Sequence, residues 1–111
     1  MHILISEHFK KQLRKLMKKY PHIKEDLLSV IEPFDSQNAI SIGREIFKMR
    51  IPSTDMQKGK SGSFRSYIYL QRRRDLLIPL CIYSKSSTEN ISENELKYHF
   101  DETLSEIAAQ I

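Results

Sequence analysis

The sequence predicts an α+β domain in which a small, largely antiparallel sheet carries an N-terminal αα-hairpin and a C-terminal helix. Two helical patterns of apolar residues occupy the first third of the chain, three strand-like runs follow, and a third helical pattern closes it. With 111 residues the chain has room for one hydrophobic core, so we interpret residues 1–111 as a single domain. This order of elements favours helices packed on one face of the sheet.

The first third of the chain is punctuated by capping and helix-breaking residues. Residues 2–5, His-Ile-Leu-Ile, predict a short opening strand, and Ser6 is suited to cap the helix that follows. Pro21 ends that helix at Tyr20, because proline lacks an N–H and disfavours helical geometry in the residue before it. A second helix is predicted over residues 22–34, which gives an αα-hairpin with a short connection.

The middle of the chain predicts a three-stranded meander over residues 45–51, 64–70 and 76–83. Pro79 lies inside the third strand and cannot donate to a neighbouring strand, so a bulge or an unpaired side is expected there. Ser92 and Glu95 form a capping box that opens a final helix, predicted to run to Ala109. The remaining residues are predicted to be connectors: 36–43, 53–61, 71–75 and 84–90.

Charge is distributed unevenly along the chain. Residues 36–85 carry ten Lys and Arg against three acidic residues, whereas residues 86–111 carry one against six. A basic middle region is typical of a protein that binds a polyanion.

The single cysteine and the absence of long apolar runs limit the possible classes of protein. Cys81 excludes an intramolecular disulfide and a cysteine-rich metal site, and its apolar surroundings predict a buried, unreactive thiol. No apolar run approaches the roughly 20 residues that a membrane helix needs, and residues 1–5 are too short for a signal-peptide core. We therefore expect no membrane contact and a cytoplasmic location.

The most informative segment runs from Lys58 to Tyr69. Lys58 and Lys60 lie on a glycine-containing loop that leads directly into a strand containing Arg65. Such a loop can bring backbone N–H groups and cationic side chains to one phosphate. The three cations could therefore converge on a nucleic-acid backbone.

The chain resembles the RelE/HigB branch of bacterial toxin–antitoxin toxins. The similarity covers nearly the whole chain and is carried by five segments in order: Met49-Arg-Ile-Pro52, Gly59-Lys-Ser-Gly-Ser-Phe-Arg65, Ile68-Tyr69, Ile82-Tyr-Ser-Lys85 and Asn90-Ile-Ser. The resemblance implies a RelE-like fold and a messenger-RNA endonuclease that acts in the ribosomal A site without a metal or other cofactor. It also implies a cognate antitoxin, expected to be a helix-turn-helix protein. The chain departs from the family pattern at Ser63, where a second glycine is common, and at Pro79.

The resemblance also implies catalytic roles for four cationic residues. Metal-free RNA cleavage requires a base for the 2′-hydroxyl, charge stabilisation at the phosphate and an acid for the departing 5′-oxygen. Lys58 or Lys60 is the expected base, since neighbouring cations and partial desolvation lower a lysine pKa. Arg65 is expected to clamp the phosphate, and Lys85 to act as the acid or as a second clamp.

Tyr83 and Arg50 are the expected substrate-binding residues, with Tyr83 stacking on a base. More ordinary roles stay open at this point: solvated loop charges for Lys58 and Lys60, a surface ion pair for Arg65, and a core position for Tyr83. The histidines are spread over the predicted opening strand and the helices, which makes a two-histidine acid–base pair improbable; they are His2, His8, His22 and His99.

Two other functions and two other surfaces also stay open. A ParE-like protein of the same fold would inhibit DNA gyrase without catalysis, and a degenerate homologue would only bind RNA or its antitoxin. The lysine-rich face of the first helix and the Arg72–Arg74 turn could contact ribosomal RNA, or could simply be solvated.

Overall fold

A computed structural model describes residues 1–37, 39–56, 62–86 and 90–110, with only the backbone of Gln110. Its elements are β1 (His2–Ile3), α1 (Glu7–Met17), α2 (Ile23–Ile31), β2 (Ile40–Ser41), β3 (Ile46–Pro52), β4 (Ser63–Gln71), a 3-10 turn (Arg72–Arg74), β5 (Leu76–Ser84) and α3 (Glu93–Gln110). The strands form one sheet in the order β1-β5-β4-β3-β2. β1 pairs with β5 in parallel, and the other neighbours are antiparallel. The predicted α+β class and the three-stranded meander are confirmed.

The helices cover both faces of the sheet, so the expectation that all of them share one face was wrong. Apolar residues of α1 and α2 pack against a set of sheet residues that includes Phe47 and Ile68. Residues adjacent to these along the strands, Ile46 and Tyr67, point to the opposite face and pack with Leu96 and Phe100 of α3 and with Ile91 before it. The third strand is apolar on both sides because each side has its own helical layer.

Both N-terminal helices end before the predicted residues. α1 ends at Met17, and the turn that follows is tighter, because the Lys19 N–H donates to the carbonyl of Leu16, three residues back, at 3.1 Å. α2 ends at Ile31 because Pro33 has no N–H to continue the helical ladder. The predicted connector over residues 36–43 also contains a short strand, β2, which pairs with Lys48 and Phe47 of β3.

Pro79 is accommodated by a β-bulge, one of the two arrangements that the sequence predicted. Tyr67 pairs with Cys81 and the next residue, Ile68, pairs with Pro79, so Leu80 is the extra residue on β5. The side chain of Gln12 on α1 pairs with the strand here: its amide nitrogen donates to the Leu80 carbonyl at 3.2 Å, and its oxygen accepts from the Ile82 N–H at 3.1 Å. The helix thus supplies the hydrogen bonds that β1 is too short to provide.

The first turn of α1 is capped from two directions. Ser6 Oγ accepts from the Phe9 N–H at 3.0 Å, as expected of a capping serine. The Glu106 carboxylate on α3 accepts from the backbone N–H groups of Glu7 at 2.6 Å and His8 at 3.1 Å. A carboxylate at a helix N-terminus is favourable for the helix dipole as well, so Glu106 links α3 to α1.

We expect Glu106→Ala to lower the free energy of unfolding by about 1 kcal/mol, the typical cost of losing a helix cap. Urea denaturation followed by circular dichroism measures this change. Glu102→Ala is the matched control, because Glu102 is an exposed residue of the same helix. Equal destabilisation by the two substitutions would contradict a capping role for Glu106.

Candidate functional site

Three of the residues predicted for the site lie in one row across the sheet. Arg50 on β3 is directly opposite Arg65 on β4, and Arg65 is directly opposite Tyr83 on β5. Directly opposite residues of antiparallel strands point to the same face, with Cβ atoms about 4.5–5.5 Å apart. The sheet register therefore brings two guanidinium groups and a phenol together on the face that α3 also contacts.

Lys85 extends this arrangement by one position. Its N–H donates to the carbonyl of Ser63 at 3.1 Å, which continues the β4–β5 pairing beyond the last residue of β5. Lys85 is therefore placed next to Tyr83 on the same face. We call Arg50, Arg65, Tyr83 and Lys85 the cationic patch.

α3 packs on the Ile46 and Tyr69 end of this face, and Tyr83 is the member of the cationic patch that joins its apolar cluster. Further along the same face the strands carry Tyr69, whose ring lies 5.2 Å from that of Phe100 in an edge-to-face contact. The segment before α3 reaches Lys48 of β3, whose ammonium group donates to Asn90 Oδ1. The face thus changes from an apolar end beneath α3 to a cationic end where Arg50 is exposed and Arg65 and Lys85 are half-buried.

The positive charge of the patch is not neutralised by acidic residues in the described part of the chain. None of Arg50, Arg65 and Lys85 forms an ion pair with a described carboxylate. An ion-pair role for Arg65, which the sequence left open, therefore has no support among these residues. Like charges directly opposite each other destabilise a sheet, and an anion bound between Arg50 and Arg65 would relieve that repulsion.

Arg65 is held in place by hydrogen bonds to neutral groups. Its Nη1 donates to Ser63 Oγ at 3.0 Å and to the Phe64 carbonyl at 3.4 Å. Sequence reasoning considered Ser63 only as a departure from the family pattern, yet the two-residue spacing on a strand already places its hydroxyl on the face of Arg65. Ser63 does not have a positive φ, so a side chain is accommodated there without strain.

Tyr83 has both a core role and a possible surface role. Its ring stacks on Tyr67 at 6.3 Å with an angle of 27° between the planes, and it packs with the cluster beneath α3. Burial raises the pKa of Tyr83, and the hydrogen bond with Tyr67 raises it further. The phenol is therefore neutral near pH 7 and suited to donate a hydrogen bond or to stack.

Lys58 and Lys60 lie outside the described residues, but the loop that leads to them is anchored. The Thr54 N–H donates to Asp26 on α2 at 2.8 Å. Asp55 Oδ1 lies 2.6 Å from His22 Nδ1, and its other oxygen accepts the His22 N–H at 2.7 Å. The side-chain hydrogen bond raises the pKa of His22 and lowers that of Asp55.

Two of the histidines, His8 and His99, meet where two helices pack together. His8 Nε2 lies 2.7 Å from His99 Nδ1 where α1 contacts α3. Burial lowers the pKa of His99, and the nearby His8 adds to the effect. The periodic patterns of the two helices did not indicate that these faces would touch, and the pair contributes to the helix interface, not to the cationic patch.

Cys81 has the properties that its apolar surroundings predicted. It is buried, and desolvation raises its pKa to about 12, so the thiol is a poor nucleophile. Within the described ranges, no cluster of His, Cys, Asp and Glu is arranged to hold a metal ion. Nor is any described helix both long and apolar enough to cross a bilayer.

Comparisons with known proteins give one family and one fold. The model of the family described as "RelE toxin of RelE / RelB toxin-antitoxin system" matches residues 1–110. A solved structure of the E. coli toxin RelE, an arginine-to-alanine double mutant in the free state, is similar to the chain with a TM-score of 0.52. The two sequences are 15% identical over 94% of each chain. No curated protein sequence matches significantly.

The ion pair between His22 and Asp55 predicts a pH-dependent stability. Because the folded-state pKa of His22 is raised above its ordinary 6.5, the pair stabilises fully below that value and loses its effect as the pH rises through the higher folded-state pKa. Asp55→Asn should therefore reduce the loss of stability between about pH 6 and pH 8. Urea denaturation across this range measures it, with His2→Gln as the control at an exposed histidine. An unchanged pH profile in Asp55→Asn would contradict the prediction.

Proposed function

The chain belongs to the RelE family of toxin–antitoxin toxins, and we propose that it is a ribosome-dependent messenger-RNA endoribonuclease that inhibits translation. The observation that carries the proposal is the cationic patch: two arginines and a lysine, unpaired by any described carboxylate, beside a tyrosine on one face of the sheet. RNA offers the two groups that this patch suits, a phosphate for the cations and a base for the aromatic ring.

In this proposal Arg65 contacts the scissile phosphate. Its guanidinium has five N–H donors, of which the Ser63 and Phe64 contacts use only one nitrogen. The remaining donors can bind phosphate oxygens in the forked geometry that arginine favours. Arg50, directly opposite, adds a second positive charge for the negative charge that develops on the phosphate during cleavage.

The proton transfers are assigned to lysines. Lys58 or Lys60 removes the proton of the 2′-hydroxyl, and Lys85 protonates the departing 5′-oxygen or binds the phosphate as a second clamp. Cations near a lysine lower its pKa and make it a better base at neutral pH. Tyr83 stacks on a nucleotide base next to the cleaved bond, since its half-buried ring is already fixed against Tyr67.

The proposed partners follow from the same family. The cognate antitoxin would be a helix-turn-helix protein, and the substrate would be messenger RNA in the A site of a ribosome in the cytoplasm. Ribosomal RNA would be contacted by exposed cations on α1, including Lys11 and Lys15, neither of which pairs with a described acid. Lys10 and Arg14 on the same helix are partly neutralised by Glu7.

Arg65→Ala should reduce cleavage by roughly 100- to 1,000-fold, the usual effect of removing one charge-stabilising donor from an active site. Induced expression followed by primer extension on a translated message measures the cuts, which should be in phase with the codons for the wild-type protein. Arg73→Ala is the control, because Arg73 is an exposed arginine on the 3-10 turn.

Other results of this experiment would favour other functions. Growth inhibition without cuts would favour a ParE-like inhibitor of DNA gyrase. A folded wild-type protein without growth inhibition would favour a degenerate protein that only binds RNA or its antitoxin. Cleavage that survives Arg65→Ala would contradict the role assigned to Arg65.

Reversing the charge of Lys11 and Lys15 to Glu should weaken ribosome binding and flatten its salt dependence. Each lost phosphate contact lowers the slope of log affinity against log salt by about 0.7 to 0.9. Ribosome co-sedimentation at several salt concentrations measures the slope. Lys24→Glu on α2, also at an exposed lysine, is the matched control. The same slope in all three proteins would show that the α1 face is only solvated.

A further inference from the structure

Ser63 contacts two residues of the cationic patch. Its hydroxyl accepts a hydrogen bond from Arg65 Nη1 at 3.0 Å, and its backbone carbonyl accepts the N–H of Lys85 at 3.1 Å. Ser63 itself is fully buried, with 0% of its surface exposed. Because a buried residue on a central strand has little freedom to move, the first contact restricts the Arg65 guanidinium and the second restricts the backbone of Lys85.

A hydroxyl orients a guanidinium without cancelling its charge. A carboxylate in the same position would hold Arg65 more strongly, but it would neutralise the positive charge that a phosphate needs. Arg65 is a long side chain with many rotamers, and ordering it before the substrate binds reduces the entropy lost on binding. The Ser63 contact also leaves most of the guanidinium donors available.

We propose that Ser63 is a positioning residue that presets Arg65 for phosphate binding, which deepens the proposed nuclease function and rests on it. The backbone contact with Lys85 could be made by any residue, whereas the contact with Arg65 needs a side-chain acceptor. A glycine at this position would keep the first contact and lose the second. The Ser63 side chain therefore supplies a hydrogen-bond acceptor for Arg65 that a glycine would lack.

Ser63→Ala should lower the rate of single-turnover cleavage by about 10- to 100-fold, the scale expected when a catalytic group loses its alignment. The salt slope of RNA binding should stay the same, because the charge of Arg65 remains. In an Arg65→Ala background, Ser63→Ala should have almost no further effect, since there is no guanidinium left to orient.

Ser66→Ala is the matched control for the loss of a buried hydroxyl. Ser66 lies on the same strand, is equally buried, and donates to the Cys81 carbonyl at 2.7 Å without contacting Arg65. It should reduce the free energy of unfolding as Ser63→Ala does, while cleavage stays near the wild-type rate. Equal loss of cleavage in both variants, or full additivity of Ser63→Ala with Arg65→Ala, would overturn the positioning role.

The NMR signals of the Arg65 guanidinium test the contact independently of cleavage. In the wild-type protein, rotation of the guanidinium should be hindered and its N–H protons should exchange slowly, and Ser63→Ala should relax both. If the wild-type protein cuts no message, the nuclease function fails, but this spectrum still tests the positioning of Arg65. Guanidinium signals that are identical in the two proteins would overturn the proposal.

Discussion

The register of β4 between β3 and β5 is the constraint on which the candidate site depends. A slip of one residue would send Arg65 to the opposite face, away from Arg50 and Tyr83. The bulge at Leu80 is part of this constraint, because it shifts the pairing by one residue before Tyr83 is reached. Gln12 stabilises the bulge from α1 with two hydrogen bonds to its backbone, so the helical layer helps to set the register of the site on the other face.

The position of α3 divides one face of the sheet into two environments. Aromatic residues such as Tyr69 and Phe100 cover the apolar end, and Glu106 fixes the helix to α1. The opposite end carries Arg50, Arg65 and Lys85, and Arg50 and Arg65 repel each other across the strands. Burial under α3 stabilises the fold, whereas the cationic end is where we propose that a polyanion binds.

Much of the fold could be predicted from the sequence because the patterns that indicate each helix and strand lie within that element. Apolar periodicity and capping residues predicted α1, α2, α3 and the meander, and Pro79 predicted either a bulge or an unpaired side, of which the structure has the bulge. The features that the sequence did not predict correctly also have physical reasons. β2 has only two residues, too few for a periodic pattern, and α2 ends at Ile31, before Pro33, instead of continuing to Phe34. The face that α3 covers depends on packing between distant segments, which periodicity does not encode.

The sequence by itself determined the chemistry of the candidate site. The cations, their charge balance and the strand that carries Arg65 are local properties of the chain, and the family resemblance singled out Arg50, Tyr83 and Lys85. Only the tertiary structure decided which of these residues meet. Cross-strand register placed Arg50, Arg65 and Tyr83 in one row. The buried Ser63 hydroxyl accepts a hydrogen bond from Arg65, and helix packing brings His8 against His99. Such contacts join residues from separate elements, and long-range packing selects them.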